Sequence, residues 1–413
     1  MPSSGGQYPS APPAALWVVA LAAAWILPGL VGHDPWKPDE AHTFGIAYSL
    51  LNGGDWLVPM LAGEPFMEKP PLYYWTAALF ARVLSPPLAL HDAARLASGF
   101  YLALTFVFVA AAARELYGRD RGGVAVLVLL GCLGLAIPAH QIITDTAQLA
   151  GFAAGFYGLA LAPRRALAGG AWLGTGAGIG FLAKGLLAPG VLGLLALLLP
   201  LAPAWRTRAY AKTLAIAFVA LLPWLVPWPW ALYARSPALF NEWLFVNNFG
   251  RFTGSNDLGP HAQPLQYLRL LPWFALPALP LAGWALWRAR RKLGAPAKLH
   301  AHLHNLQPGY TPGFRWLPFA AGALYTIGWI VVLLRLRRGR ERPAVAWAAS
   351  MTMVWGVVAT LFVGVLDAGK SYRSMIEELV RALPAQHGCV ASEGVGEPQR
   401  ALLHYFAGIA TYQ

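Results

Sequence analysis

The sequence consists largely of long apolar runs that short clusters of arginine interrupt. The first run covers residues 14–32, and further runs follow at residues 93–113, 122–138, 146–162, 169–183, 186–202, 213–230, 268–287, 316–334 and 344–366. An α-helix needs about 20 apolar residues to cross the hydrocarbon core of a bilayer, and these runs are continuous rather than alternating. The pattern predicts an all-α polytopic membrane protein in which some helices are short or broken.

Composition excludes the main soluble classes of protein. Hydrophobic residues make up 57% of the chain and charged residues only 12%, whereas an ordinary globular domain is about 25% charged. The net charge of +13 would suggest a nucleic-acid partner in a soluble protein, but here arginine lies between apolar runs and no nucleic-acid-binding motif is present. The two cysteines also exclude a disulfide framework.

The arginine clusters predict how the helices are oriented. Clusters that follow four of the runs lie at residues 114–121, 164–165, 206–212 and 288–292. Such clusters favour the cytoplasmic side of a membrane. If residues 33–92 contain no full span, all four clusters fall on that side, and the loops 33–92 and 231–267 lie outside.

The arginines at residues 335–342 do not fit this orientation. They should also be cytoplasmic, yet the number of crossings after residue 292 places them outside. Either one span is missing between residues 293 and 315, or the run 316–334 does not cross the membrane.

Three regions follow from composition. Residues 1–13 are rich in Pro, Ser and Gly, which predicts disorder. Residues 14–366 form the predicted membrane domain, and residues 367–413 form a short soluble segment that we expect on the periplasmic side.

An acidic pair opens the first outer loop. Asp39 and Glu40 follow Trp36-Lys37-Pro38, where a helix is expected to begin. A carboxylate there either caps the helix or serves as a base that takes a proton from an incoming hydroxyl or amine.

A second charged pair, Glu68 and Lys69, precedes Pro70 and Pro71. The prolines fix the backbone, so these side chains lie on a stiff element. The pair is either a local surface ion pair or a phosphate site, in which Lys69 binds the phosphate and Glu68 orients it or holds a divalent cation.

Two more charges lie at outer ends of predicted spans. Asp145, in Thr144-Asp145-Thr146, is either a helix cap or a functional acid, because ionisable groups at that depth are rare. Lys184 either extends its amine to the interface or binds an anionic partner such as a lipid phosphate.

These residues resemble a known family through motifs spread over roughly residues 15–290. The motifs are Gly54-Asp55-Trp56-Leu57-Val58-Pro59, Glu68-Lys69-Pro70-Pro71-Leu72-Tyr73-Tyr74-Trp75, Arg95-Leu96, Thr144-Asp145-Thr146, Ala183-Lys184-Gly185, Asn248-x-x-Arg251-Phe252 and Pro264-x-x-Tyr267. They are similar to the bacterial branch of the dolichyl-phosphate-mannose–protein mannosyltransferase superfamily, which includes the lipid A aminoarabinose transferases. The Gly-Asp-Trp and Glu-Lys-Pro-Pro blocks are the most specific.

The resemblance implies a GT-C membrane fold in a bacterial inner membrane. It also implies a polyprenyl-phosphate-linked sugar donor and a lipid, glycan or protein acceptor on the periplasmic face. Glu68 corresponds to a supporting or metal-binding carboxylate. The predicted site comprises Asp39, Glu40 and Asp145 as catalytic residues, Lys69, Lys184 and Arg251 as donor-phosphate ligands, and Tyr73, Tyr74, Asn248 and Tyr267 as substrate contacts.

Two features depart from the family pattern. Asn248 stands where the aminoarabinose transferases have a histidine, which is a metal partner of the Glu68 equivalent, so a divalent cation remains an open alternative. A Lys-x-x-x-Tyr-x-x-Pro segment, expected later in the chain, has no convincing match after residue 290.

The sequence therefore predicts a membrane glycosyltransferase that works by a single inverting displacement with an aspartate base. A transporter or flippase of lipid-linked sugars is an alternative, because it would hold phosphate with the same lysines but would need no base. A non-catalytic membrane scaffold is a second alternative.

Overall fold

A computed structural model describes residues 15–250, 315–336, 342–384 and 390–412 of the chain. The predicted disorder of residues 1–13, the run 268–287 and the candidate site residues Arg251 and Tyr267 lie outside the described residues.

The described residues are mostly helical. The α-helices are α1 Ala15–Ile26, α2 Asp39–Leu51, α3 Leu72–Leu84, α4 Leu90–Tyr117, α5 Gly122–Leu130, α6 Leu133–Ala136, α7 Asp145–Leu161, α8 Ala166–Lys184, α9 Leu187–Leu198, α10 Arg208–Leu225, α11 Pro227–Arg235, α12 Pro237–Asn241, α13 Trp316–Arg335, α14 Arg342–Leu361, α15 Val363–Lys370, α16 Arg373–Ala382 and α17 Glu397–Ala407. Short 3₁₀ turns cover Arg119–Arg121, Pro138–His140, Leu199–Leu201 and Pro203–Trp205, and a π-helix covers Glu242–Phe249.

Within the described ranges, five helical segments are long and apolar enough to cross a membrane, or six if the bent pair Arg119–Leu130 and Gly134–His140 is one span. The five are Leu90–Tyr117, Ala166–Lys184, Arg208–Arg235, Trp316–Arg335 and Ala344–Leu361. The other described apolar runs form shorter helices, as a chain with short or broken spans requires. The prediction of an all-α polytopic membrane protein is confirmed.

The antiparallel helices α7 and α8 pack with their backbones in close approach. A Cβ added to Gly151 would overlap the backbone of Gly176 and Gly180, and one added to Gly158 would overlap the backbone of Leu173. Small residues at such positions let membrane helices approach closely. Because α7 begins where α8 ends, this packing brings Asp145 and Lys184 to one end of the bundle, which we call the site end.

The first outer loop forms a layer over the site end. Helices α2 and α3 have 13 residues each, and neither is among the candidate spans. Between them, strands β1 Met60–Leu61 and β2 Glu64–Pro65 pair antiparallel. Ala62 and Gly63 both have positive φ, as a tight two-residue hairpin turn requires.

The C-terminal segment docks on this layer. The guanidinium of Arg373 binds both carboxylate oxygens of Asp34, through Nε at 2.8 Å and Nη2 at 2.5 Å. Arg400 Nη1 donates to Glu64 Oε1 at 2.8 Å. Strands β3 Val390–Ala391 and β4 Thr411–Tyr412 pair in parallel and complete this short segment, which therefore lies at the site end.

Helices α13 and α14 pack antiparallel, which shows at which end of the bundle the later arginines lie. Trp329 Nε1 donates to Ser350 Oγ at 2.9 Å, and Trp355 Nε1 donates to the Pro28 carbonyl at 3.0 Å. Lys37 N donates to the Lys370 carbonyl at 3.0 Å, so the helix that follows α14 lies at the site end.

Arg335 and Arg342 consequently lie at the opposite end of this hairpin. Arg342 precedes Trp355 by about 20 Å of helix, on the side away from Pro28. We call this opposite side, where Arg164 pairs with Glu115, the arginine end. The run 316–334 forms α13, which is long and apolar enough to cross a membrane, so the structure does not favour the alternative in which this run fails to cross. The other alternative falls on residues 293–314, outside the described residues.

Candidate functional site

Lys184 and Asp145 form an ion pair at the site end. Lys184 Nζ lies 2.5 Å from Asp145 Oδ1, and the two side chains are 30% and 51% exposed. Asp145 is the first residue of α7, but neither it nor Thr144 makes a side-chain capping hydrogen bond there. The carboxylate therefore binds the lysine and does not cap the helix.

Asp39 is exposed at the first residue of α2. The residue before it, Pro38, occupies the capping position, and no side-chain capping bond is formed. The structure thus does not support the helix-cap interpretation of Asp39. Its carboxylate remains open to solvent at the site end.

Lys69 is half-buried beside these groups. Burial lowers the pKa of its ammonium, and the charge of Glu68, followed by those of Asp145 and Asp39, opposes that shift. The charge of Lys184 lowers the pKa further. The charges of Glu68, Asp145, Lys184 and Asp39 thus all act on Lys69.

No hydrogen-bond acceptor among the described residues engages the Lys69 ammonium. Among the described residues, Lys69 Nζ makes no hydrogen bond or ion pair within the usual distances. A buried ammonium without such partners is destabilised, and an anion that enters the site would remove this penalty.

Glu40 lies in a different environment from Asp39. Its side chain is fully buried, and Oε1 accepts from Arg95 Nε at 2.9 Å and from Ile142 N at 2.8 Å. Oε2 accepts from Trp36 N at 3.0 Å. Glu40 therefore ties the chain before α2 to the loop before α7.

Arg95 is the residue of this network that sequence reasoning missed as a site residue. It is 0% exposed and also binds Asp92 Oδ1 at 2.8 Å. Its Nη2 donates to the carbonyls of His33 and Asp34 at 3.2 Å and 3.3 Å. Two signals were available: the Arg95-Leu96 motif, and the Asp92-x-x-Arg95 spacing, which brings the two side chains together on a helix.

Asn248 holds the turn that follows Lys184. Its Oδ1 accepts from Leu186 N at 3.2 Å, and its Nδ2 donates to the Trp243 carbonyl at 2.8 Å. Gly185 has φ +82°, and a Cβ there would overlap Asn248 Oδ1. Both ends of the Asn248 amide are therefore engaged with the protein, so the predicted substrate contact of this residue stays a prediction.

Tyr73 and Tyr74 lie in the first turn of α3, and the two residues are 0% and 1% exposed. Tyr73 Oη lies 2.6 Å from Ser98 Oγ. This burial does not favour direct substrate contact, so that role stays a prediction.

The described residues do not bring together a set of ligands for a metal ion. No three His, Cys, Asp or Glu side chains among them converge in a way that could hold an ion. Asn248, which stands at the position of the expected histidine, has its amide oxygen committed to Leu186 N. The donor set around Glu68 within the described residues thus does not fit a divalent cation, and no step is assigned to one.

Residues 68–230 match the family described as dolichyl-phosphate-mannose-protein mannosyltransferase. This part of the chain therefore carries the sequence pattern of that family. The match begins at Glu68, so it includes Lys69, Asp145 and Lys184, the charged residues that meet at the site end.

Curated relatives include two undecaprenyl phosphate-alpha-4-amino-4-deoxy-L-arabinose arabinosyl transferases. The protein from Pseudomonas aeruginosa (strain UCBPP-PA14) is 30% identical over 292 residues, which are 67% of this chain and 51% of the relative. The protein from Sodalis glossinidius is 32% identical over 299 residues, with the same coverage of 67% and 51%. The chain thus spans about half the length of the curated relatives it matches.

A solved structure has the same fold. The crystal structure of ArnT from Cupriavidus metallidurans bound to undecaprenyl phosphate aligns with a TM-score of 0.71 at 19% identity, covering 96% of this chain and 85% of that one. Its apo form aligns with a TM-score of 0.66. The prediction of a GT-C type membrane fold is confirmed.

Proposed function

We propose that this protein is a membrane glycosyltransferase that moves a sugar from a polyprenyl-phosphate donor to an acceptor. The observation that carries the proposal is the convergence of Lys69, the Lys184–Asp145 pair and the exposed Asp39 at one end of the bundle. The relatives' names, which specify an undecaprenyl-phosphate-linked sugar, support the donor class.

The chemistry needs two kinds of group, and the site end supplies both. A departing polyprenyl phosphate is stabilised by cations, and an acceptor hydroxyl or amine needs a base. Lys69 and Lys184 are the cations, and Arg251 is proposed as a third ligand of the donor phosphate. Asp39 is the proposed base because its carboxylate is exposed and uncommitted to a cap.

The proposed reaction is a single displacement. The acceptor oxygen or nitrogen forms a bond to the anomeric carbon while the bond from that carbon to the phosphate oxygen breaks. The electron pair stays on the phosphate, and the acceptor proton moves to Asp39. One attack from the opposite face inverts the configuration of the sugar.

Three other residues are assigned to positioning. Glu40 acts through Asp39, because its buried carboxylate fixes the start of α2 to Arg95 and Ile142. Asp145 orients Lys184, and Asn248 holds the turn behind that lysine. The substrate contacts proposed for Tyr73, Tyr74 and Tyr267 concern the sugar or the lipid.

We place the reaction on the periplasmic face of a bacterial inner membrane. The support is the arginine end, where Arg164, Arg165, Arg335 and Arg342 lie opposite the site, because arginine-rich ends of membrane helices favour the cytoplasm. The C-terminal segment that docks on Asp34 then lies in the periplasm with the site. The acceptor is a lipid, a glycan or a protein.

Mass spectrometry of envelope glycolipids and glycoproteins, with and without this protein, tests the proposal. A transferase changes the mass of at least one acceptor by one sugar and releases polyprenyl phosphate. If the donor lipid changes sides in reconstituted vesicles while no acceptor gains a sugar, the protein is a flippase and the proposal fails.

A further inference from the structure

The arginine end carries a cavity that the proposed reaction does not use. It has a volume of about 580 Å³ and is lined by Arg114, Arg119, Arg164, Arg165, Glu115, Tyr157 and Ala111, from the ends of α4, α7 and α8 and the turns between them. Four guanidinium groups thus surround one carboxylate. The cavity lies at the far end of α7 and α8 from the Lys184–Asp145 pair.

The carboxylate of Glu115 neutralises only part of this positive charge. Arg164 Nη1 lies 2.9 Å from Glu115 Oε1, and Arg165 Nη2 lies 2.6 Å from Oε2. An arginine has five N–H donors, so most of the donors on these two side chains remain free. Among the described residues, Arg114 and Arg119 make no side-chain hydrogen bond, and both are exposed.

An apolar groove begins beside the same arginines. It has a volume of about 750 Å³ and is lined by Arg165, Ala166, Leu167, Ala168, Ala171, Trp172 and Lys212. Arg165 belongs to both the cavity and the groove. Trp172 packs against Phe108 with ring centroids 4.8 Å apart, so the groove has a firm wall. A basic cavity therefore continues into an apolar groove on the first turns of α8.

We propose that this cavity and groove bind an anionic phospholipid of the surrounding membrane. The headgroup phosphate is held by Arg114, Arg119 and the free donors of Arg164 and Arg165. An acyl chain lies along Leu167 and Trp172, and Lys212 closes the far side of the groove. Charge complementarity and the continuity of the two spaces select this occupant, since basic pockets between membrane helices on the cytoplasmic side suit anionic headgroups.

A zwitterionic phospholipid fits less well, because its ammonium would face the same arginines. A free phosphate fits the cavity but leaves the groove unused. These differences make the three occupants separable by experiment.

Native mass spectrometry of the full chain, released from detergent and titrated with phosphatidylglycerol, tests the proposal. Phosphatidylcholine with the same acyl chains and soluble glycerol phosphate serve as the comparison probes. We expect phosphatidylglycerol to be retained at least ten-fold better than phosphatidylcholine. Glycerol phosphate should not displace it at equal concentration.

Variants locate the site. Arg114→Gln with Arg119→Gln should weaken phosphatidylglycerol binding by about five-fold for each charge removed, and Lys212→Gln should weaken it independently. All three side chains are exposed, so the fold should survive. Arg208 is exposed at the same end but lines neither the cavity nor the groove. Arg208→Gln is therefore the control, and it should change phosphatidylglycerol binding less than two-fold.

Two results would overturn the proposal. An equal loss in Arg208→Gln would show that the whole basic surface attracts lipid without a site. Equal competition by glycerol phosphate would show a phosphate site in which the groove takes no part. Sugar transfer is not measured in any of these experiments, so failure here is separate from failure of the proposed function.

Discussion

Lys184 Nζ lies 2.5 Å from Asp145 Oδ1 although 39 residues separate them in the chain. The pair joins the end of α8 to the start of α7, next to Lys69. Because the side chains are 30% and 51% exposed, the pair contributes little to stability, and its value lies in fixing the lysine for an anionic ligand.

Lys184→Met should therefore separate stability from binding. We expect the melting temperature to change by no more than about 2 °C, since exposed ion pairs contribute about 0–1 kcal/mol. The affinity for a polyprenyl-phosphate donor should fall by about ten-fold or more, as a lost charged hydrogen bond requires. Arg208→Met, which removes an exposed cation from the arginine end and changes neither the cavity nor the groove there, is the control. Equal donor affinity in the two variants would contradict a phosphate role for Lys184.

Gly185 and Asn248 should be coupled energetically. Gly185→Ala places a Cβ at φ +82° against Asn248 Oδ1, so we expect a loss of roughly 2 kcal/mol or more in unfolding free energy and weaker donor binding. Adding Asn248→Ala removes the overlap but also its two hydrogen bonds, while the unfavourable φ remains. The double variant should therefore lose less than the sum of the two single variants. Additive losses, measured by chemical denaturation, would show that the two residues do not touch.

The titration of Lys69 should appear in donor binding. Burial lowers the pKa of its ammonium, and only the protonated form attracts a phosphate. Donor affinity should thus fall, as the pH rises, at a lower pH than for an ordinary lysine. Lys69→Arg keeps its charge at high pH, so its donor affinity should stay level over the same range. If the donor affinities of the two proteins change in the same way with pH, Lys69 is not a ligand of the donor phosphate.

The docking of the C-terminal segment should depend on pH through Asp367. Burial, and then the charge of Asp34, raises the pKa of its carboxyl to about 6. Because this value exceeds the ordinary value of 3.8, the folded state holds the proton more tightly. The resulting stability is present at low pH and is lost as the pH rises through about 6.

Asp367→Asn should abolish this dependence. The amide oxygen can still accept from Asp34 N and Trp36 Nε1, as Asp367 Oδ1 does at 3.0 Å and 3.3 Å. We expect the variant to be more stable than the natural chain by roughly 1 kcal/mol at pH 8, after allowing for partial exposure of the group, and equal to it only at about pH 3, below the ordinary pKa of 3.8. Thermal melts at the two pH values measure this. A constant difference at both would refute the titration of Asp367.

The lengths of the continuous apolar runs were sufficient to predict the five candidate spans among the described residues. Apolar runs and arginine clusters are local properties of a chain, and they also placed Asp145 and Lys184 at the same end. The orientation of α13 was harder to predict, because the arginines at residues 335–342 conflicted with the number of predicted crossings before them. In the structure, the contact of Trp329 with Ser350 fits an antiparallel arrangement of α13 and α14.

The sequence nominated candidate site residues by their type and motif, but it did not predict which contacts each of them makes. The sequence singled out Asp39 and Glu40 together as an acidic pair, yet one is exposed and the other is buried against Arg95. That difference arises from a helix 55 residues further along the chain. The docking of Arg373 on Asp34 joins residues 339 apart, and no local pattern encodes such a pair.

The most direct test of the account compares donor binding and sugar transfer in Asp39→Asn. The measurement is single-turnover release of polyprenyl phosphate from a saturating donor, with Asp120→Asn as a control carboxylate at the arginine end. We predict that Asp39→Asn loses about 10²- to 10⁴-fold in turnover while its donor affinity stays within two-fold of the natural chain. Turnover within a few-fold of the natural chain would contradict the assignment of Asp39 as the base.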